Sequence, residues 1–174
     1  LSQLKKYYAF VPAKDGPVTF GLERLADIEG ELRVLHEEHY NETEREYLGT
    51  EFSPSYDRYK ASEEAGQFVL FTTRVAEHLA GYLQYYVFED MHTNMKVARE
   101  DALFVSKDFR GKKLGPAMLS YAEDALRQLG CAMVGMTSKA PVGAPDIGPF
   151  LVKRGYKPIA TYFVKKLESK NVLQ

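Results

Sequence analysis

Apolar residues recur along the chain in two periods, and the switches between them mark its elements. Residues 7–11 (Tyr-Tyr-Ala-Phe-Val) form a short apolar run of strand length. Leu25, Ile28, Leu32, Leu35 and His39 then fall at three- and four-residue steps, which predicts a helix with these side chains on one face. Glu29, Glu31, Arg33, Glu37 and Glu38 take the other side. The pattern breaks over the acidic stretch 40–52. Ser53-Pro54 reads as an N-cap with proline at the first helical position, opening a short helix to Ala65 that Gly66 ends. Gln67–Arg74 and His78–Phe88 are rich in β-branched and aromatic residues, and the short link between them predicts a hairpin. A loop over Glu89–Lys96 leads to a further strand, Ala98–Ser106. Leu114, Ala117, Met118, Tyr121, Ala122, Ala125 and Leu129 make the broadest helical stripe in the chain, with Gly130 as its stop. Residues 132–138 read as a strand and 141–149 as a Pro/Gly loop. A short helix ends at Gly155, and a closing strand covers 160–167.

The predicted order is strand, two helices, three strands, helix, strand, helix, strand. This gives a mixed α/β sheet with helices on its faces, in one domain spanning 1–174. The 174-residue length suits one core. Twelve Tyr and ten Phe supply the burial that disordered chains lack. A net charge of −1 gives no global field for nucleic acid, and Lys165-Lys166 is too short a basic run to change that. Cys131 stands alone, so neither an intramolecular disulfide framework nor a cysteine-only zinc site can be built. Apolar runs stay far below the ~20 residues of a membrane helix, and no secretory signal is visible at the start. A reducing, cytoplasmic compartment is the expectation.

Chemistry concentrates in 103–129. The apolar strand Leu103-Phe104-Val105 runs into a loop holding Arg110, Gly111, Lys112, Lys113 and Gly115, and the long helix starts there. The first amides of a helix have no internal partner and sit at the positive end of its dipole. Glycines let a phosphate approach the backbone, and Arg and Lys add charge, so strand, loop and helix together suit an anion. No G-x-x-x-x-G-K-[ST] and no G-x-G-x-x-G is present. The loop is close to R-x-x-G-x-G: Arg110-Gly111-Lys112-Lys113-Leu114-Gly115, with Lys113 where the first glycine would stand. A solvated helix start with basic residues is the plainer alternative.

The string 102–119, Ala-Leu-Phe-Val-Ser-Lys-Asp-Phe-Arg-Gly-Lys-Lys-Leu-Gly-Pro-Ala-Met-Leu, resembles the acetyl-CoA motif of the GNAT family of N-acetyltransferases. Residues 150–156, Phe-Leu-Val-Lys-Arg-Gly-Tyr, resemble that family's late helix and its terminal Gly-aromatic pair, and the ending 155–167 is similar to variants in tailed bacteriophages. The likeness covers 67–167; residues 1–66 match only in element order. It implies a GNAT-like mixed, mostly antiparallel sheet flanked by helices on both faces. It also implies an enzyme that transfers acetyl from acetyl-CoA to an amine: a protein lysine, an N-terminus or a small amine.

On that resemblance, Leu103, Phe104 and Val105 would align the thioester and its pantetheine arm. The diphosphate would sit on the amides of Arg110, Gly111, Lys112, Lys113, Leu114 and Gly115. Pro116 has no N–H to donate and is tolerated in a first turn. Phe150 and Lys153 on the late helix would flank the donor. Asp101 or Glu100 would assist deprotonation of the amine. Strand parity groups Asp101 with Leu103 and Val105, and Glu100 with Ala102 and Phe104. Relatives often carry a tyrosine four residues before the position of Gly155 to protonate the leaving thiolate, but this chain has Leu151 there, with Tyr156 and Tyr162 as substitutes. Acceptor binding would fall on the first two helices and the loop between them, where Glu37, Glu38, Tyr40, Glu42, Glu44, Glu46, Tyr47, Glu51, Phe52 and Tyr56 lie. Carboxylates beside aromatic rings suit a cationic amine, although a solvated acidic loop would look the same. The expected partners are acetyl-CoA and the amine, a host protein among the acceptors, with a homodimer as an option; a phage-encoded chain would work in the host cytoplasm. The runner-up is a catalytically weak or inactive protein of this fold that binds a host protein.

Other features carry less. His36-Glu37-Glu38-His39 spaces two histidines at i and i+3, but a packed helix face explains it better than a metal, and no metal is expected. His78 and His92 have no third ligand, Met91 and Met95 sit in a loop, and no G-x-S-x-G supports a hydrolase.

Overall fold

The helical period of the first amphipathic segment is realised in full: Leu25, Ile28, Leu32, Leu35, His36 and His39 are all buried along α1, Leu25–Thr43. The computed structural model describes residues 7–8, 16–138, 146–165 and 167. Around α1 stand β1 (Tyr7–Tyr8), β2 (Val18–Leu22), α2 (Arg45–Leu48), α3 (Tyr56–Glu64), β3 (Phe68–Val75), β4 (His78–Glu89) and β5 (Lys96–Val105). A 3-10 turn over Lys107–Phe109, then α4 (Leu114–Gln128), β6 (Met133–Gly135) and α5 (Gly148–Lys153), complete the order.

Among the described residues one six-stranded sheet runs β1-β2-β3-β4-β5-β6. Every pairing is antiparallel except β5 with β6. The fold is therefore the mixed, mostly antiparallel sheet with helices on both faces that the resemblance implied. Period-2 alternation splits the side chains between two cores. Phe68 and Leu70 of β3 pack with α1 and Tyr56 of α3, while Val69 and Phe71 pack with Met118, Leu119 and Ala122 of α4. The link between β3 and β4 is Ala76-Glu77, both at positive φ (47° and 70°), the tight hairpin geometry that matches strand twist.

Two irregularities in the ladders matter. Between β3 and β4 the register steps from Thr73↔Gly81 to Arg74↔Leu79, which leaves Ala80 as an extra residue. Gly81 lies where any Cβ would meet Phe104 O at 2.7 Å, so β4 and β5 approach more closely than a side chain allows. Between β4 and β5 the register steps from Tyr85↔Glu100 to Gln84↔Ala102, so Asp101 is a bulge residue. The alternation flips there. Ala98 belongs to the α4 core, yet beyond the bulge the residues packed on that core are Leu103 and Val105, and Phe104 joins the α1 core.

The sequence expectations for some elements differ from what is observed, and one is tested only in part. Of the 7–11 strand, Tyr7–Tyr8 is strand and 9–11 lies outside the described residues. Val18–Leu22 is a strand the reading missed, because Pro17 and Gly21 resemble a turn; Val18 and Phe20 are 2% exposed and core-facing. The second helix starts at Tyr56 with Ser55 as N-cap, not at Ser53-Pro54, because proline pushes its predecessor to extended backbone without obliging a helix to follow. No strand forms at 160–165 or 167, where Tyr162, Phe163, Val164 and Leu167 are exposed. Of the predicted 141–149 loop, 141–145 lies outside the described residues.

Candidate active site

The short reach of β6 creates the site. It pairs with Val97, Ala98 and Arg99 only, so from Glu100 to Val105 the outer edge of β5 carries no ladder partner among the described residues. The β5–β6 ladder ends at Arg99 and Gly135, and beyond it the Glu100 Oε2 accepts from Thr137 N–H at 3.0 Å. A cavity of about 290 Å³ opens into this fork. Its β5 wall is Glu100, Leu103, Phe104 and Val105; its loop wall is Arg110, Gly115 and Pro116; Thr137, Ile147 and Phe150 close one side, and His39, Glu42 and Thr43 of α1 the other.

The loop ahead of α4 makes its turn with Gly111 at φ +81° and Lys113 at +59°. Lys113 thus adopts the left-handed conformation a glycine would take, at roughly 1 kcal/mol. It is also the N-cap of α4, and no side chain caps that helix. Gly111 faces open space, with nothing within 4 Å of an added Cβ. Leu114 is core, 2% exposed, so only its backbone can face an anion. Lys112 lies 5.3 Å from the Phe109 ring centroid.

Arg110 does not project freely. Its Nε donates to Val105 O at 2.8 Å, its two terminal nitrogens reach the two Glu42 oxygens at 2.8 and 2.9 Å, and its guanidinium lies 5.2 Å over the Phe104 ring. Burial pushes the Glu42 carboxyl up, but Arg110 and Lys107 outweigh it and hold the group below the usual carboxylate range. Glu38 accepts from Ser106 Oγ at 3.3 Å and from Lys107 N–H at 3.4 Å. Two acids of α1 therefore face the basic loop rather than open solvent.

The bulge separates the two candidate acids. Asp101 accepts from the Tyr59 hydroxyl of α3 at 3.2 Å, and it is not among the cavity-lining residues; Glu100 is. Parity grouped Asp101 with Leu103 and Val105, whereas those side chains pack on the α4 core and Asp101 meets α3. Burial and Asp101 together raise the Tyr59 phenol well above its ordinary value.

The predicted loop, strand and Phe150 thus converge on one cavity, while Gly111, Lys112, Lys113, Leu114, Lys153 and Asp101 do not line it. Leu151 is buried in the α4 core. Tyr156 donates to Glu123 at 2.8 Å and Tyr162 is 86% exposed, so neither substitute tyrosine lines the cavity. His39 and Thr43 were missed as wall residues; the only signal was the place of His39 at the end of the apolar face of α1. Among the described residues no group of three His, Cys, Asp or Glu could hold a metal, and no helix is long and apolar enough to cross a membrane.

The sequence profile of the acetyltransferase (GNAT) family matches residues 33–147, most of the chain and all of the walls except Phe150. The chain belongs to the GNAT family. As a member it is an N-acetyltransferase with acetyl-CoA as donor. Solved GNAT structures share the fold. Ribosomal-protein-alanine N-acetyltransferase from Brucella melitensis biovar Abortus aligns with a TM-score of 0.65 at 17% identity, over 87% of this chain and 99% of that one. An aminoglycoside acetyltransferase from an uncultured soil metagenomic sample, in complex with sisomicin, gives 0.67 at 14% identity, over 87% and 97%. Glucosamine-6-phosphate N-acetyltransferase from Arabidopsis thaliana gives 0.65 at 15% identity, over 87% and 99%. No curated protein matches the sequence.

Proposed function

We propose that this GNAT protein acetylates a primary amine whose nitrogen enters the cavity between α1 and the open edge of β5. The observation that carries the reading is the edge of β5 from Glu100 to Val105, which has no ladder partner among the described residues and ends at the loop before α4. The pantetheine amides would add to it as a short strand. The diphosphate would rest on the Gly111–Gly115 amides at the α4 N-terminus, with Arg110, Lys112 and Lys113 adding charge. Pro116 and Phe150 would bound the arm; Lys153, exposed on α5, would meet only its outer end. An edge amide near Leu103–Phe104 would hold the developing oxyanion.

The acceptor would approach past His39, Glu42 and Thr43. Of the two acids of β5, Glu100 is the one that lines the cavity, and it would draw the first proton from an ammonium group into solvent. Asp101 accepts from the Tyr59 hydroxyl outside the cavity wall, so the base role goes to Glu100. The three neighbours named above act, by their titles, on an alanine of a ribosomal protein, an aminoglycoside and an amino sugar phosphate; all offer an amine, which supports the class and leaves the compound open. Holding donor and amine together contributes up to ~7–11 kcal/mol to rate.

Thiol release from acetyl-CoA is the test, run against peptides with lysine or free N-termini, aminoglycosides, polyamines and amino sugars. Release stimulated by at least one amine, and abolished when the amine is first acetylated, is the expected result. Binding of acetyl-CoA without stimulation by any of them would favour a non-catalytic member of the fold, a reading whose one support is the buried Leu151.

A further inference from the structure

His39 stands in the cavity wall with no role in the scheme above. It is 8% exposed, on the last full turn of the apolar face of α1. Its ring lies 4.8 Å from that of Phe104 at 19°, so it is stacked on the residue beside which the thioester would lie. Its Nδ1 is 2.7 Å from the Tyr82 hydroxyl. Tyr82 is 1% exposed, and burial keeps its phenol protonated far above the ordinary range. A hydroxyl both donates and accepts, so Tyr82 can serve either protonation state of the ring. It donates to Nδ1 when that nitrogen is bare, and accepts from Nδ1–H when the ring is charged or carries its single proton there.

The neighbouring His36 packs inside the core. Gln84 Nε2 donates to its Nε2 at 2.8 Å, so the proton is on Nδ1, which donates to Tyr56 Oη at 3.0 Å. His36 does not line the cavity, whereas His39 does.

Resting on the acetyltransferase reading, we infer that His39 carries a proton from the attacking nitrogen to the departing sulfur. The amine nitrogen forms its bond to the acetyl carbon and becomes positively charged. Nε2 of His39, with Nδ1–H donated to Tyr82, takes one proton from that nitrogen. The C–S bond breaks with its electron pair on sulfur, and the same Nε2–H protonates the thiolate. The products are a neutral amide and a free thiol, and the imidazole returns to its starting state. One group thus does the work for which Leu151 offers no hydroxyl. The charged or titratable groups facing His39 are His36 and Glu42 on α1, Tyr82 on β4, and Arg110 on the loop through Phe104. Asp101, Tyr59 and Glu44 act on it at one remove through Tyr82.

His39→Asn keeps an acceptor or donor near the Nδ1 position for Tyr82 but has no Nε2. Its expected kcat is ~10²-fold lower, within the range for one proton-transfer group, with acetyl-CoA affinity and Tm close to wild type. The limb of the kcat–pH profile between pH 5 and 8 in the wild type should vanish in the variant. Tyr82→Phe, if folded, should lower kcat by less and shift that limb rather than remove it. His39→Gln provides a second variant should the asparagine protein unfold. A His39 variant that folds, binds acetyl-CoA and keeps wild-type kcat with the same limb overturns the inference and leaves the acetyltransferase reading standing. A wild-type protein that binds acetyl-CoA and acetylates no amine overturns both.

Discussion

Replacing Gly81 by alanine should damage both stability and catalysis, by amounts that follow from one contact. The added Cβ would lie 2.7 Å from Phe104 O, 3.1 Å from Val105 Cγ2 and 3.2 Å from Thr73 Cγ2. A relaxed carbon–oxygen contact is roughly 3.3 Å, so the Phe104 carbonyl must retreat by about half an ångström. It is backbone in a paired strand and cannot swing aside as a side-chain tip would. Overpacking of this kind costs ~1–3 kcal/mol; taking about 2, the Tm should fall by about 4–8 °C for a chain of this length. The same retreat shifts the strand edge proposed to align the thioester. Since a displacement of ~1 Å costs ~10²-fold in rate, half of that predicts a kcat/KM about tenfold lower. Urea denaturation gives the first quantity and thiol release the second. Gly30→Ala is the control: nothing lies within 4 Å of its Cβ, and it sits inside α1, so it should stabilise by about 0.5–1 kcal/mol. A Gly81→Ala protein as stable and as active as the wild type would refute the argument that the close approach of β4 and β5 sets the site.

Burial holds the His36 imidazole down to about 4, so the unfolded chain binds a proton that the folded one rejects between pH 6.5 and 4. Stability should therefore be full above pH 6.5 and fall by about 3 kcal/mol on acidification through that window, and denaturation of His36→Gln at pH 7.5 and 5 should show a shallower loss; an unchanged slope would contradict a neutral buried ring. Glu42→Gln removes the partner of a half-exposed Arg110 at under about 1 kcal/mol of stability and frees the guanidinium for the diphosphate, so calorimetry should find acetyl-CoA bound roughly fivefold tighter at low salt, with weaker binding refuting the placement of the diphosphate beside Arg110. Lys113→Gly relieves a left-handed residue at the cost of chain entropy and should change stability by less than about 1 kcal/mol, while Lys113→Val should cost about 1–2 kcal/mol more; equal Tm values for the two variants would contradict the turn geometry.

Where a single element decides its own pattern, the sequence was informative. The face of α1 and the stripe of α4 are set by burial on one helix side, and the hairpin by two strand runs with a short link, so all three follow from period alone. The loop from Arg110 to Gly115 was equally readable, because glycine and basic residues at a helix start act locally. Asp101 shows where such reading stops. A bulge adds one residue to a ladder without leaving any mark in polarity, so parity counted from Leu103 assigns it to the wrong neighbours. The closing strand at 160–167 had the composition of a strand, but an extended segment becomes one only with a partner edge. The α1 wall of the cavity, His39, Glu42 and Thr43, comes from the crossing of a helix over a sheet some 60 residues away in sequence. Nothing local encodes that meeting, and the pairing of Glu42 with Arg110 is likewise invisible until both are placed.

The extra residue in β5 also changes how this gene can vary. Because the strand is out of phase with itself on either side of Asp101, its two halves are coupled by length rather than by composition. Deleting that one codon would close the ladder with Glu100 opposite Tyr85 and Ala102 opposite Gln84, leaving every side chain from Ala102 to Val105 in its present layer and removing only Asp101 and its bond to Tyr59. The strand thus carries one residue of slack: a single shortening is absorbed at the bulge, whereas a second finds no spare residue and turns Leu103 and Phe104 over to opposite layers, so drift in this part of the chain tolerates one lost residue and not two.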